Sequence, residues 1–187
     1  MELTEVIVER RSIRRYKADP IDDVTLKRCL EAARWAPSWA NTQCWRFVIV
    51  RDSKTKSDIA DTLKSGRPGG INAGTEAIKQ APLLIIACAE LKQAGYYQGE
   101  VTTEKGDWFM FDVALAMQNL ALAAHAEGLG TVMIGLFDIT KVEAILGLPA
   151  GVSVVVMTPL GYPDQEARVV PRKELSEIVS YEKYGGS

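Results

Sequence analysis

The stretch from Trp108 to Glu127 constrains the fold most. It is apolar on nearly every side when wound as a helix, and a soluble domain buries such a helix at its centre. Asp112, Gln118, Asn119 and His125 interrupt it, so no window of about 18 residues is apolar and free of charge, as a membrane span requires. Gly128 is placed to stop the helix. A central helix of this length needs a sheet and further helices to cover it, and the chain of 187 residues can supply them. A chain of that size buries about 70% of its extended surface and is read as one domain, residues 1–187.

The remaining pattern supplies that cover. Thr4 to Arg10 is predicted as a helix with Leu3, Val6, Ile7 and Arg10 on one face. A second helix starts after Pro20 with Asp22 or Asp23 as its N-cap, and its apolar face is Val24, Leu26, Cys29, Leu30 and Ala33. Pro37 ends it. Phe47–Val50, Leu83–Ala89, Thr131–Ile134 and Val152–Met157 are predicted strands, with Leu83–Ala89 apolar on both faces. Lys54–Lys64 and Thr140–Leu146 are predicted helices; Ile59 and Leu63 face inward in the first, and Gly147 and Pro149 close the second. Ser65–Gly70 reads as a loop, and the polar tail from Pro163 has Leu175, Ile178 and Val179 as apolar anchors. Helices and strands mix without a βαβ beat, which points to an α+β fold.

Composition narrows the function. Lys and Arg total 22 and Asp and Glu 24, which argues against a general nucleic-acid binder. The N-terminal residues lack a signal-peptide pattern, so a cytoplasmic protein without a membrane segment is expected. Cys29, Cys44 and Cys88 have no C-x-x-C spacing, and there is one histidine, so structural thiols and no metal site are expected. That single histidine also speaks against a Ser-His-Asp or Cys-His hydrolase. No P-loop motif occurs. Gly128-Leu-Gly130 is followed by Gly135, but the glycine spacing is wrong for a dinucleotide fingerprint and the helix precedes the strand.

Three segments could carry chemistry. Arg10-Arg-Ser-Ile-Arg-Arg-Tyr16 packs four guanidinium groups and a hydroxyl into a short run, a donor set suited to phosphate oxygens, although a solvated or ion-paired basic stretch would look the same. Pro37 to Phe47 is rich in amides and aromatics. Ser38, Asn41 and Gln43 could read the edge of a planar heteroaromatic ring, or the segment could be an ordinary turn whose tryptophans pack on the core. The glycines of Gly130 to Gly135 would let backbone approach a flat ligand, or form only a cap and a turn.

Together these segments resemble the nitroreductase family of FMN-dependent oxidoreductases. Four blocks match in order: R-R-S-I-R-x-[YF] at Arg10–Tyr16, P-S-x-x-N-x-Q-P-W-x-F at Pro37–Phe47, G-L-G-T-x-x-I-G-x-F at Gly128–Phe137, and L-G-Y-P at Leu160–Pro163 followed by Arg172-Lys173. The resemblance implies a three-layer α+β fold, a mainly antiparallel sheet flanked by helices, in an intertwined homodimer with FMN at the interface. It implies that Arg10, Ser12 and Arg14, with Arg11 close by, hold the phosphate and part of the ring, and that Arg172 and Lys173 complete the phosphate site. Pro37, Ser38 and Asn41 would reach the partner's flavin, while the backbone at Ile134 and Gly135 would face the ring. The long helix would form the dimer core and the C-terminal segment would wrap the other subunit. The implied activity is hydride uptake from NADH or NADPH and ping-pong reduction of a nitroaromatic, quinone or enone. The chemistry resides on flavin N5, and no side chain is assigned as catalytic. The resemblance also admits a flavin-processing or dehalogenating relative on the same fold, and the residues alone admit an FMN-binding module without turnover. Two residues depart from the blocks: Cys44 replaces the usual proline, and Trp39 is bulky enough to narrow the site. Gly66 to Gly106 aligns with no block; Tyr96, Tyr97, Trp108 and Phe109 could stack on a substrate ring or pack in the core or dimer.

Overall fold

Leu83–Glu90 (β2) is the strand on which both cores of the molecule meet. Its apolar run is uninterrupted, and because successive side chains point to opposite faces, Leu83, Ile85, Ala87 and Ala89 enter one core while Leu84, Ile86 and Cys88 enter the other. The computed structural model describes residues 2–185. In chain order the other elements are helix Leu3–Glu9 (α1), helix Asp23–Arg34 (α2), strand Trp45–Val50 (β1), helices Ser53–Ala60 (α3) and Ala73–Gln80 (α4), strands Tyr96–Tyr97 (β3) and Glu100–Val101 (β4), helix Phe109–Ala126 (α5), strand Gly130–Thr131 (β5), helix Ile139–Leu146 (α6), strand Val152–Gly161 (β6) and helix Leu175–Ile178 (α7).

The main sheet has the order β1-β2-β6-β5, and every pairing in it is antiparallel. α2 and α5 cover one face through Leu26, Cys29, Ala33, Met117 and Leu120. α3, α4 and α6 cover the other through Ile59, Ile78 and Val142. This is the expected three-layer α+β architecture. By length and composition α5 could cross a membrane, but here it packs on α2 and β2. The thiols of Cys29, Cys44 and Cys88 are free and fully buried. Burial pushes Cys29 and Cys88 up to about 11.

Local chemistry sets the helix ends. The Asp22 side chain accepts from the Thr25 N–H at 2.9 Å, so Asp22 is the N-cap of α2. Gly147 closes α6 in the left-handed conformation, as expected. Other expectations need correction. α3 ends at Ala60, and Leu63 instead bridges to Phe137. The third strand is shorter, with only Gly130 and Thr131 in the ladder and Ile134 making a separate bridge to Met157. Leu3, Ile7 and Val24 are exposed, so within one chain the faces of α1 and α2 are narrower than their periodicity suggests. Leu175, Ile178 and Val179 anchor nothing within one chain; Leu175 is 72% exposed. α4, α7 and the β3–β4 hairpin lie where no regular element is predicted.

The arginine-rich segment is stitched across the sheet edge. Ile13 N–H donates to the Thr131 carbonyl at 2.9 Å, and Lys17 N–H to that of Tyr162 at 2.9 Å. Ile13 and Tyr16 point inward and are buried, which leaves the arginines facing outward. The Tyr16 hydroxyl donates to the Ile13 carbonyl at 2.5 Å, and burial raises its pKa. Close approach requires glycine on the sheet side. A Cβ at Gly130 would fall 2.7 Å from the Ile13 Cβ, and one at Gly161 would fall 2.7 Å from Pro82 Cδ. Gly130→Ala is therefore expected to lower stability by about 1–3 kcal/mol through overpacking, measured as a fall in Tm; an unchanged Tm would contradict this packing.

Candidate functional site

Arg10, Arg11, Ser12 and Arg14 converge with Arg168, Val170 and Arg172 on a cleft of about 360 Å³. The first four are placed by the stitched segment. The other three come from the C-terminal tail, whose approach is fixed by two contacts: Asp164 N–H donates to the Arg15 carbonyl at 3.0 Å, and Arg14 N–H donates to Gln165 Oε1 at 3.0 Å. No carboxylate lines the cleft, and among the described residues none of its arginines joins an ion pair. Burial, then the charges of Arg11 and Arg172, push the Arg10 pKa down. Arg11 donates to the Val8 and Arg10 carbonyls, while its Nε is buried and has no partner. Like charges gathered without a counter-charge repel one another. An orphaned buried donor costs about 1–3 kcal/mol. A multiply charged anion with several oxygens would relieve both, and a phosphate group fits.

A second recess, of about 240 Å³, continues past Arg10 and Arg11 to Glu9, His125 and Gln165. Burial first, and then Arg10 and Arg11, keep the His125 pKa below its ordinary value, while Glu9 acts in the opposite sense. On the other side Arg14 borders a third recess, of about 190 Å³, with Asn72, Gly74, Ile134 and Gly135. Position Cβ of Gly135 faces open space, so backbone is accessible there. Arg14 thus borders both the cation cleft and a recess with exposed backbone at Gly135, while the Ile134 N–H and C=O are both bonded to Met157; the pair suits a ligand with a phosphate at one end and a flat polar-edged ring at the other.

The structure brings Arg10, Arg11, Ser12, Arg14 and Arg172 together and places Ile134 and Gly135 next to them. Lys173 is exposed and outside the cleft lining. Arg168 and Asn72 are missing from the sequence reading. Arg168 sits alone in a polar tail, and its only signal is the spacing of four from Arg172. Asn72 was legible as an N-cap ahead of Ala77, Ile78 and Ala81, and its side chain accepts from Gly74 N–H at 2.8 Å.

Pro37 and Ser38 are elsewhere. They line an apolar cleft of about 390 Å³ with Trp39, Trp108, Phe111, Asp112 and Leu115. Asp112 is near the start of α5 and His125 near its end, 13 residues on, or about 20 Å along the axis. One chain therefore keeps the 37–41 segment far from its own arginines. Asp112 is fully buried; both its oxygens accept from the Trp39 N–H, at 3.0 and 3.1 Å, and it also accepts from Thr42 Oγ1 at 3.4 Å. The loop it holds contains Ala40 (φ 43°), Asn41 (φ 57°) and Gln43 (φ 49°). Asparagine tolerates this left-handed conformation, but Ala40 and Gln43 each pay about 1–2 kcal/mol for it. The Ser38 hydroxyl oxygen accepts from Gln43 N–H at 3.0 Å. Cys44 packs against Asp112 and is pushed up to about 12, first by burial and then by that carboxylate. Among the described residues no cluster of three His, Cys, Asp or Glu side chains is poised to hold a metal.

A model of the nitroreductase family matches residues 7–162. The chain belongs to that family. It is 30% identical to a Thermus thermophilus NADH dehydrogenase, with 92% of this chain and 92% of the relative covered. A nitroreductase-family structure from Clostridium novyi NT is 33% identical with a TM-score of 0.76, covering 100% of this chain and 97% of that one. An oxidised iodotyrosine deiodinase bound to FMN and 3-iodo-L-tyrosine superimposes with a TM-score of 0.78 at 28% identity, covering 97% and 100%. Members of the family with different names thus share this fold.

The unpaired arginines give a direct test. Inorganic phosphate is expected to raise the Tm of the ligand-free protein, because an anion bound only by the folded state stabilises it, and Arg168→Ala is expected to weaken that rise. A phosphate effect no larger than that of chloride at equal ionic strength would contradict an anion site.

Proposed function

We propose that the protein is an FMN-dependent oxidoreductase that works as a homodimer. The observation that carries this reading is the cleft of five arginines and one serine without a carboxylate, bordered at Arg14 by a recess in which the Gly135 backbone is exposed. The arginines suit a phosphate dianion, and exposed backbone suits the edge of an isoalloxazine ring. The family and its FMN-bound member support the same choice of ligand. In this reading Arg10, Arg11, Ser12, Arg14, Arg168 and Arg172 hold the phosphate, and Lys173 adds positive charge beside Arg172. Gly135 orients the ring through its exposed backbone, while Ile134, whose N–H and C=O are both bonded to Met157, holds that backbone in place, with Asn72 nearby. FMN, when bound, supplies the redox chemistry: two-electron transfer from NADH or NADPH to a nitroaromatic, quinone or enone acceptor.

Two observations support the dimer. α5 leaves Met110 and Phe111 more than half exposed, and Met110 lines an apolar recess of about 450 Å³ with Met117, Met133 and Val156. Contiguous apolar surface of this kind marks an association site. The distance between the arginine cleft and the 37–41 loop supplies the second. A two-fold axis that packs α5 antiparallel on its copy would carry Pro37, Ser38 and Asn41 of one subunit to the arginine end of the other.

Purified protein is expected to be yellow, or to become so with FMN, and to bleach under NADH or NADPH without oxygen. Protein that takes up no FMN would overturn the reading. Arg10→Ala is expected to weaken FMN binding by about 10- to 100-fold, from the loss of charge-assisted bonds, measured by flavin fluorescence titration. Met110→Glu is expected to convert a dimer into a folded monomer with weakened flavin retention, measured by sedimentation; a wild-type monomer that binds FMN fully would remove the interface role.

A further inference from the structure

Two unfavourable features meet at one point of the molecule. The Asp112 carboxylate is fully buried, and no cation faces it among the described residues. Its charged and titratable neighbours are Asp107, ahead of α5, and Cys44, before β1. The first has the same sign, and the second is a neutral thiol. Directly attached to this carboxylate is a loop in which Ala40, Asn41 and Gln43 take left-handed backbone conformations without being glycine. Evolution has cheaper ways to close a turn: glycine removes the strain, and asparagine or serine at position 112 would remove the buried charge. Strain held together with a buried charge that has hydrogen bonds and a helix N-terminus but no counter-cation is characteristic of a site kept for its shape.

We infer that Asp112 is the positioning residue of the 37–43 loop, holding Ser38 and Asn41 in the one shape in which the loop can meet a ligand. The mechanism is geometric. A single N–H, that of Trp39, is clamped by both carboxylate oxygens, and the Thr42 hydroxyl donates to the same carboxylate, so Ala40 and Asn41 lie between two anchors. These two residues are thereby kept from relaxing into ordinary turn conformations, and Gln43, just beyond Thr42, is held by the Ser38 hydroxyl oxygen. Within the loop the Ser38 hydroxyl accepts from Gln43 N–H, and the Gln43 amide donates to Asn41 Oδ1 at 3.2 Å, so the fixed anchors set the direction of each polar group. Asp112 belongs to α5, so the loop is tied to the helix proposed as the dimer core rather than to the arginine segment of its own chain. The inference deepens the proposed function and rests on it only for the identity of the ligand.

Asp112→Asn tests it. Asparagine keeps the shape but loses the charge and one acceptor. Burial holds the Asp112 pKa above its ordinary value of 3.8. A carboxyl with a raised folded pKa favours the folded state below 3.8, and that contribution is lost as the pH rises through the raised value. The variant does not carry this loss. Its Tm at pH 7 is therefore expected to equal or exceed that of the wild type, and its advantage to shrink as the pH falls toward 3.8. Backbone hydrogen exchange is expected to rise in residues 38–43 and nowhere else. FMN affinity, set mainly by the arginines, is expected to fall by a few-fold through the loosened loop, less than in Arg10→Ala, while kcat/KM for menadione falls about 10-fold or more, a difference near 1.4 kcal/mol. Cys44→Ala, which alters the same pocket but leaves the carboxylate, is expected to leave the exchange of 38–43 unchanged.

A lower Tm with exchange raised throughout the molecule would make Asp112 a structural residue and overturn the inference. So would unchanged exchange of the loop, or equal opening in Cys44→Ala. Wild-type protein that fails to bind FMN would overturn the proposed function instead, because the exchange measurement needs no flavin.

Discussion

The backbone pairing of Ile13 with Thr131 and of Lys17 with Tyr162 is the contact on which the arginine cleft depends. Without it, four arginines in a row of six would be an exposed basic stretch, spread apart by their own repulsion. With it, Ile13 and Tyr16 are drawn into the interior and the guanidinium groups are fixed to one side of a buried edge. The tail is then brought in by Arg14 and Arg15, which hold Gln165 and Asp164 through main-chain atoms, and Arg168 and Arg172 complete the ring of charge. The repulsion so created is compensated by apolar burial beneath it, at Gly130 and Gly161, where no side chain would fit. A site of this kind is assembled against its own electrostatics, an arrangement that would favour an anion.

α5 links the two halves of the candidate site. Its first turn carries Asp112 and the strained 37–43 loop, and its last turn carries His125 beside Arg10 and Arg11. A rigid helix of 18 residues keeps these ends apart in one chain and, in a two-fold pair, would place each beside the opposite end of the other. The apolar character that marks this helix in the sequence thereby gains a second meaning. One side of it serves the core of its own chain, while Met110 and Phe111 remain for another surface.

Much of this was legible in the sequence, for reasons that can be named. The uninterrupted run Leu83–Ala89 announces a strand buried on both faces because only such a strand tolerates apolar residues at every position, and the structure divides it between two cores. The four arginines and the two glycine-bearing blocks were visible because their chemistry is local. Arg168 was not, since its role depends on where the tail lies and not on its neighbours. The left-handed residues at 40, 41 and 43 carry no glycine to announce them, and Asp112 looked like a mere interruption of an apolar helix. Leu175, Ile178 and Val179 read as apolar anchors, and within one chain they are exposed, because periodicity cannot say to which chain a face belongs.

The burial of the three cysteines has a chemical consequence. Quinones and enones are Michael acceptors, and they alkylate proteins through thiolates. With Cys29 and Cys88 held up to about 11 and Cys44 to about 12, all three stay in the thiol form at neutral pH. Burial also shields them. If the acceptor is such an electrophile, as proposed, the thiols would be spared by the same close packing that forms the cores.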